Sequence, residues 1–169
     1  LDLLERLCVE PALAGWNGLG FVIQAYQKRC PAVVDFLVEL ARRSGRRLMV
    51  RLVKGAYWDS EIKRAQLDGQ DGYPVYTRKP YTDVAYIACA SKLLAAPDAV
   101  FPQFATHNAH TMAAVHALAD PAQWQPGQYE FQCLHGMGEP LYEQVVGDAA
   151  KGRLGRPCRI YAPVGRHDT

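Results

Sequence analysis

The amino-acid sequence predicts an α/β fold: a partial (βα)8 TIM-type barrel, its C-terminal half, with about five parallel strands and truncated at both ends. Three observations predict it. A short apolar, β-rich run, then a polar turn, then an amphipathic helical stretch recurs four times, and a fifth run stands near the end. Polar residues gather at the C-terminal end of run after run: Gln24 and Tyr26, Arg51 and Lys54, Thr106 and His107, Gln132 and His135, then Tyr161. A barrel builds its site from that rim. No GxGxxG or P-loop pattern follows any run, which disfavours the competing architecture, an open doubly wound sheet. Residues 1–169 are read as one unit, a partial barrel domain.

The opening stretch, Leu1–Ala14, reads as a helix with no strand before it. The first apolar run is Leu19–Tyr26. A helix over Pro31–Arg43 follows: Pro31 suits its first turn, Val33, Val34, Leu37, Val38 and Ala41 form one buried stripe, and Gly45 stops it. The second run, Arg47–Lys54, ends at Gly55. A short helical stretch near Asp59–Gln66 and a polar, Gly-rich insertion, Asp68–Lys79, separate it from a longer helix capped by Thr82 or Asp83. That helix has Val84, Ile87, Ala88 and Leu94 on its apolar side. The third run, Val100–Thr106, leads to a helix capped by Asn108, with Met112, Val115 and Ala119 on one face. The fourth, Tyr129–Leu134, passes through Gly136-Met137-Gly138 to a helix from Glu139 to about Ala150. The last run is Cys158–Val164. The runs are near-continuously apolar, the pattern of strands covered on both faces.

Composition narrows the class. Hydrophobic residues make up 49% and charged residues 21%, an ordinary globular mixture. With 19 basic and 17 acidic side chains the net charge is +2, which gives no support for a nucleic-acid surface. The densest basic run, Arg42, Arg43, Arg46 and Arg47, sits where a helix should end and favours the negative end of its dipole. No apolar stretch approaches the roughly 18 residues of a membrane span, and no signal peptide is recognisable. The five cysteines are odd in number, widely spaced and without a CxxC pair, which fits a reduced cytosolic compartment.

Several residues have the chemistry of a site. Along the second strand, alternation puts Arg51, Val53 and Gly55 on one face and Leu52 and Lys54 on the other. Two cations at one strand end suit a phosphate or carboxylate, and an internal ion pair of Arg51 with a barrel acid accounts for the pattern equally well. His107 and His110, with His116 and His135, raise a metal-dependent barrel hydrolase as a third reading, but supporting Asp and Glu ligands at other strand ends are missing. Cys133 has no activating partner at catalytic spacing and reads as an inert buried thiol. Gly136-Met137-Gly138 admits a phosphate to a helix N-terminus or is simply a tight turn. Tyr57, Trp58 and Tyr161 line a flat cofactor or belong to the core.

Taken together the strand-end segments resemble one family. Gly18–Tyr26, Arg51–Asp59, Tyr73–Lys79, Phe104–Asn108, Glu130–Gly138 and Arg159–Gly165 are similar, in order, to the proline dehydrogenase domain of the bifunctional proline utilisation A flavoenzymes, and the similarity runs from about Trp16 to Thr169. The resemblance implies a distorted (βα)8 barrel that holds FAD at its strand C-termini. It implies oxidation of L-proline to Δ1-pyrroline-5-carboxylate by hydride transfer to flavin N5, with electrons passed to a quinone in proline catabolism. It places Arg51 close to N5 and Gln24 beside the isoalloxazine. Lys54, Gly55, Ala56 and Trp58 would meet the flavin or its dinucleotide arm, and Thr77 and Lys79 the adenine end or pyrophosphate. Thr106, His107 and Asn108 would continue that cradle, with Gln132, Cys133 and Leu134 under the ring. Tyr57, Leu134 and Tyr161 would pack the proline ring, so that Arg51, Tyr57 and Tyr161 form the catalytic set. No metal is implied.

The resemblance also implies what this segment lacks: an arginine pair for the proline carboxylate, on a helix beginning near Thr169, and a lysine and an aspartate on strands before Leu1. The parent would be a bacterial, cytoplasmic chain with a pyrroline-5-carboxylate (aldehyde) dehydrogenase domain and peripheral contact with the inner membrane. The alternative is a non-catalytic partial barrel that needs the missing parts of its domain to bind FAD and substrate.

Overall fold

The computed structural model describes residues 1–119, 124–125, 127–162 and 164–165. Five strands, β1 (Gly20–Gln24), β2 (Leu48–Val53), β3 (Val100–Ala105), β4 (Glu130–Leu134) and β5 (Cys158–Tyr161), form one sheet in the order β1-β2-β3-β4-β5. Every neighbouring pair is parallel. A doubly wound sheet reverses its strand order at a switch point; this order never reverses, which is barrel winding. Among the described residues the six α-helices are α1 (Asp2–Cys8), α2 (Cys30–Ser44), α3 (Trp58–Leu67), α4 (Lys79–Leu94), α5 (Ala109–Leu118) and α6 (Glu139–Val146). Helix α2 packs on α4 and α4 on α5, forming a layer over one face of the sheet. No described helix is long and apolar enough to cross a membrane.

The local reasons for these elements are visible in the chain. Helix α2 opens with Pro31 in its first turn and ends at Gly45, whose φ of 63° is the left-handed conformation that only glycine adopts cheaply. Its buried side chains include Val34, Leu37 and Ala41 of the expected stripe. Asn108 caps α5 by accepting from the Thr111 N–H at 2.9 Å. Three boundaries differ from the expectation. The opening helix stops at Cys8, and Glu10 then caps a separate 3₁₀ turn, Pro11–Leu13, because Pro11 cannot donate into a continuing ladder. Helix α4 begins at Lys79 rather than at Thr82 or Asp83: extended Arg78 precedes it and Pro80 starts its first turn. Helix α6 ends at Val146, where Gly147 turns extended, and a 3₁₀ turn, Ala149–Lys151, follows. Strand β5 ends at Tyr161, and Pro163 lies outside the described residues.

Alternation along the strands divides the sheet into two faces. Leu48, Val50 and Leu52 point into the core with Phe104 and Phe131, all without exposed surface. Phe104, Tyr129, Phe131 and Trp124 form a run of edge-on and tilted rings with centroids 5.8–6.2 Å apart, each contact worth about 0.5–1.5 kcal/mol beyond burial. The Tyr86 hydroxyl, buried on α4, lies against the carbonyls of Leu52 (3.2 Å) and Ala105 (3.4 Å) at the ends of β2 and β3. The opposite face is partly exposed, with Val22 at 50%. It is concave and carries polar side chains.

The basic cluster at the end of α2 is spent on architecture. Arg42 pairs with Asp98 at 2.8 Å and Arg43 with Glu5 at 3.4 Å. Arg46 donates to three backbone carbonyls, Cys8 (2.6 Å), Leu13 (2.9 Å) and Trp16 (3.1 Å), and so holds the N-terminal segment against the sheet. Arg47 donates to Val100 O and lies over the Phe101 ring. All five cysteines are free thiols. Cys30 and Cys89 meet between α2 and α4 with sulfurs 3.7 Å apart, and the sulfur–sulfur hydrogen bond together with burial holds Cys30 protonated.

Replacing Arg46 by Met should therefore cost about 2–3 kcal/mol, since it removes charge-assisted bonds to three backbone carbonyls at once. Chemical denaturation measures the loss, and limited proteolysis should cut first within residues 9–17. An unchanged cleavage pattern would contradict the clamp. The thiols should be nearly inert in the native state: four are buried, and burial beside Cys133 pushes the Cys158 thiol up to about 12. A disulfide reagent at neutral pH should titrate them only after denaturation.

Candidate functional site

The concave face is organised by strand register. Val22 of β1 pairs with Arg51 of β2, Arg51 with Gln103 of β3, and Gln103 with Glu130 of β4. One step toward the C-terminal rim, Ala105 pairs with Gln132 and Gln132 with Arg159; one step further, Leu134 pairs with Tyr161. Residues paired in a parallel ladder share a face, so five strands deliver these side chains to one surface.

At its centre is a buried carboxylate. Glu130 is 4% exposed. Its Oε1 accepts from Gln103 Nε2 (2.9 Å), Gln132 Nε2 (2.7 Å) and Arg159 Nε (2.8 Å), while Oε2 accepts from Arg159 Nη2 (3.0 Å). Burial alone would raise this carboxyl; the Arg159 fork and the two amides outweigh it and hold Glu130 below the ordinary carboxylate range. Gln132, fully buried, spends its amide N–H on Glu130 and turns its carbonyl oxygen to Arg51 Nε at 2.5 Å. The Arg51 guanidinium also lies over the Tyr161 ring, 4.8 Å from its centroid, a cation–π contact. Arg51 is thus held through Nε and through one face of its plane.

Arg51 lines a cleft of ≈ 710 Å³ at the C-terminal ends of β1–β3, and Tyr161 lines it too. Gln24, Lys54, Gly55, Ala56 and Tyr57 reach the same cleft from β1 and the β2–α3 connection, and Lys79 from the start of α4. Thr106, His107 and Asn108 come from the β3–α5 connection. Tyr57 is 64% exposed at the rim. A smaller recess of ≈ 360 Å³ adjoins it and shares Lys54, Gly55 and Lys79; Trp58 and Thr77 line it. Asp83 binds both lysines, Oδ1 to Lys54 Nζ and Oδ2 to Lys79 Nζ, each at 2.6 Å. These bonds, that from Lys54 foremost, lower the Asp83 carboxyl. The residue read as a helix cap is instead the counter-ion that sets two ammonium groups side by side.

Backbone shape does the rest. Gly55 has φ of +133°, and a Cβ there would stand 2.5 Å from the Tyr26 ring, so no other residue fits. The Tyr26 hydroxyl is buried beside the recess with no hydrogen-bond partner among the described residues. The Gly-rich insertion is stitched down: Tyr76 N donates to Tyr26 O (2.8 Å), Lys28 N to Pro74 O (2.9 Å) and Trp58 Nε1 to Tyr76 O (2.8 Å). Trp58 therefore positions Thr77 and the start of α4. His107 Nε2 accepts from the Leu134 N–H (3.1 Å), tying the β3–α5 connection to β4, and Thr106 Oγ1 accepts from Asn108 N (3.2 Å).

Of the residues singled out in the sequence, His110 and His135 border other recesses, and Cys133 faces away. Its side chain points to the helical side of β4, where its sulfur meets Cys158 at 3.9 Å, so only its backbone borders the concave face. Gly136 and Gly138 both adopt left-handed φ, 78° and 68°, and form a tight turn into α6. Among the described residues no three His, Cys, Asp or Glu side chains come together in a metal-holding group. Glu130, Gln103, Arg159 and Asp83 were not singled out. The signal for the strand residues was present, since Glu130 and Gln132 stand two apart in an apolar run and must share a face.

A family model for proline dehydrogenase matches residues 1–169. The bifunctional protein PutA of Escherichia coli K12 and that of Klebsiella aerogenes are each 75% identical over 169 residues, all of this chain and 13% of theirs. PutA of Rhizobium meliloti is 63% identical over 174 residues. The chain thus spans about an eighth of the length of the curated relatives it matches. Among solved structures, proline utilization A of Bradyrhizobium japonicum superposes with a TM-score of 0.87 at 57% identity, over 97% of this chain and 16% of that one. The Bdellovibrio bacteriovorus protein, inactivated by N-propargylglycine, gives 0.87 at 37% identity, over 98% and 17%. The barrel winding, the strand-end motifs and these matches over the whole sequence agree, and the chain belongs to the proline dehydrogenase family.

Proposed function

We propose that this chain forms the flavin-holding part of a proline dehydrogenase active site, which oxidises L-proline to Δ1-pyrroline-5-carboxylate and passes the electrons to a quinone. The observation that carries the reading is the cleft that Arg51, braced by Gln132 and Tyr161, shares with the paired ammonium groups of Lys54 and Lys79. The residues fit FAD. The long cleft with its adjoining recess suits a dinucleotide, the orphaned Tyr26 hydroxyl supplies an unused polar group, and Gly55 lets the backbone approach where a side chain would block. Arg51, Gln24, Gln132 and Leu134 would hold the ring system. Lys54, Lys79, Thr77 and Trp58 would hold the phosphates and adenosine, with Gly55, Ala56, Thr106, His107, Asn108 and the Cys133 backbone completing the cradle.

FAD, when bound, supplies the two-electron acceptor for the hydride that leaves the proline ring. Arg51 offers a fixed cation where negative charge develops during that transfer. Lys54 and Lys79 offset phosphate charge. Tyr57, Leu134 and Tyr161 would pack a small apolar ring and exclude water. The parent is read as a bacterial cytoplasmic enzyme with a pyrroline-5-carboxylate dehydrogenase domain and peripheral membrane contact, and this segment makes no nucleic-acid contact.

A second reading is favoured by the openness of the concave face, where Val22 is 50% exposed. On that reading residues 1–169 alone bind neither FAD nor proline well and need the rest of a barrel.

The complete chain carrying this segment should purify yellow and bleach when proline is added without an acceptor. A colourless protein that ignores added FAD overturns the proposal. If the complete chain bleaches and the isolated 169 residues do not, the second reading holds for the segment. Arg51→Met should slow flavin reduction about 100-fold while changing proline affinity far less, because the lost interaction strengthens in the transition state. Stopped-flow reduction at several proline concentrations separates the two. Gly55→Ala should yield protein largely depleted of flavin, read from the absorbance ratio, because the strained backbone and the Tyr26 ring cannot both stay in place.

A further inference from the structure

Arg51 is the cation on which the proposed site turns, yet no acid touches it among the described residues. The nearest buried carboxylate, Glu130, is one link away. Gln132 lies between them, its N–H given to Glu130 at 2.7 Å and its carbonyl oxygen to Arg51 Nε at 2.5 Å. An amide has a donor end and an acceptor end, and a carboxylate accepts only. Glu130 therefore dictates which way round the Gln132 amide sits. Turned over, the amide would set its oxygen against the carboxylate and its N–H₂ against the guanidinium N–H. Both contacts would be repulsive.

We propose that Glu130 is a positioning residue: by fixing the Gln132 amide it aims Arg51 into the cleft without neutralising it. This deepens the reading given above and rests on it. Two further observations support it. Glu130 accepts four hydrogen bonds, so its orientation is itself fixed, and its partner Arg159 lies on the neighbouring strand rather than in the cleft wall. A direct Glu130–Arg51 pair would hold the guanidinium equally firmly, but it would cancel the charge needed near a developing anion. The interposed amide separates holding from neutralising.

The test uses the complete flavoprotein. Glu130→Gln keeps the size of the side chain and removes the requirement on the Gln132 amide. Flavin reduction by proline should slow about tenfold or more, with proline affinity changed much less, as expected when an oriented charge is lost from the transition state. The flavin midpoint potential should fall, because a misaimed Arg51 stabilises the reduced cofactor less. In an Arg51→Met background the same substitution should change the reduction rate less than about twofold, since two residues acting through one contact are not additive. An equal loss in both backgrounds, or full speed and an unshifted potential in Glu130→Gln alone, overturns the proposal. A wild-type chain that takes up no flavin overturns the underlying reading instead.

A readout on flavin-free protein accompanies these. Glu130 has a folded-state pKa below its unfolded value. Its contribution to stability is thus present above the unfolded value and is lost as pH falls through the folded one. The acid side of the stability profile should therefore be flatter in Glu130→Gln. Should Glu130→Gln fail to fold with Arg159 left unpaired, Glu130→Gln/Arg159→Gln removes both charges. The same slowing and the same non-additivity with Arg51→Met are expected of it. Normal reduction kinetics in that double variant would equally overturn the proposal.

Discussion

The register of the parallel sheet is the constraint on which everything else depends. Five strands follow one another in sequence order, and residues paired across them share a face. One set of alternate residues, Leu48, Val50, Leu52, Phe104 and Phe131, meets the helices. The other, Val22, Arg51, Gln103, Glu130, Gln132 and Arg159, lies on the opposite face of the sheet, where Val22 and Arg51 line the cleft. A slip of one residue in β4 would send Glu130 and Gln132 into the helical layer and bring Phe131 and Cys133 to the concave face. The aromatic cluster around Phe104, Tyr129 and Trp124 opposes that slip, because its rings pack in one arrangement only. Core packing thus fixes the register, and the register assembles the polar face.

That polar face is a costly thing to build. A carboxylate as buried as Glu130 is stabilised only if its lone pairs are used, and here they are, by two amides and an arginine fork. Hydrophobic residues of the same volume would serve stability as well. What the network adds is direction. Gln103, Gln132 and Arg159 all converge on the one carboxylate, which orients the three of them together. A polar network that is fully satisfied rigidifies its members.

Much of this was legible in the sequence, and where it was not the reasons are physical. The repeated run–turn–helix pattern and the polar strand ends predicted the barrel winding and most of the cleft, because period-two alternation and rim placement are properties of the chain itself. Arg51 and Gly55 line the cleft on the face that alternation gives them, and Lys54, which alternation puts on the other face, reaches it past the end of β2. Asp83 was misread because a carboxylate four residues into a helix and one at its N-cap look alike when Pro80 is not weighed as the start. Cys133 stands between Gln132 and Leu134 in the chain, and alternation turns its side chain to the face opposite theirs. Glu130 was overlooked because its role needs Gln103, Gln132 and Arg159 from three strands, and their meeting is set by stagger, which one strand cannot reveal.

The cations of the cleft are held in two different ways, and the difference bears on what each can do. Lys54 and Lys79 are held by an acid, Asp83, so any anion that binds them must share them with it. Their net attraction is a difference between two partners, which suits orientation of a phosphate group more than raw affinity. Arg51 is held by a neutral carbonyl and an aromatic face. Neither contact cancels its charge, and together they remove most of the roughly 2 kcal/mol of rotamer freedom that a free arginine would lose on meeting a ligand. The ordering cost is thus met by the fold before anything binds. A preorganised, unneutralised cation at one end and a neutralised, exchangeable pair at the other is the charge distribution expected of a site in which charge changes at the first position and is merely anchored at the second.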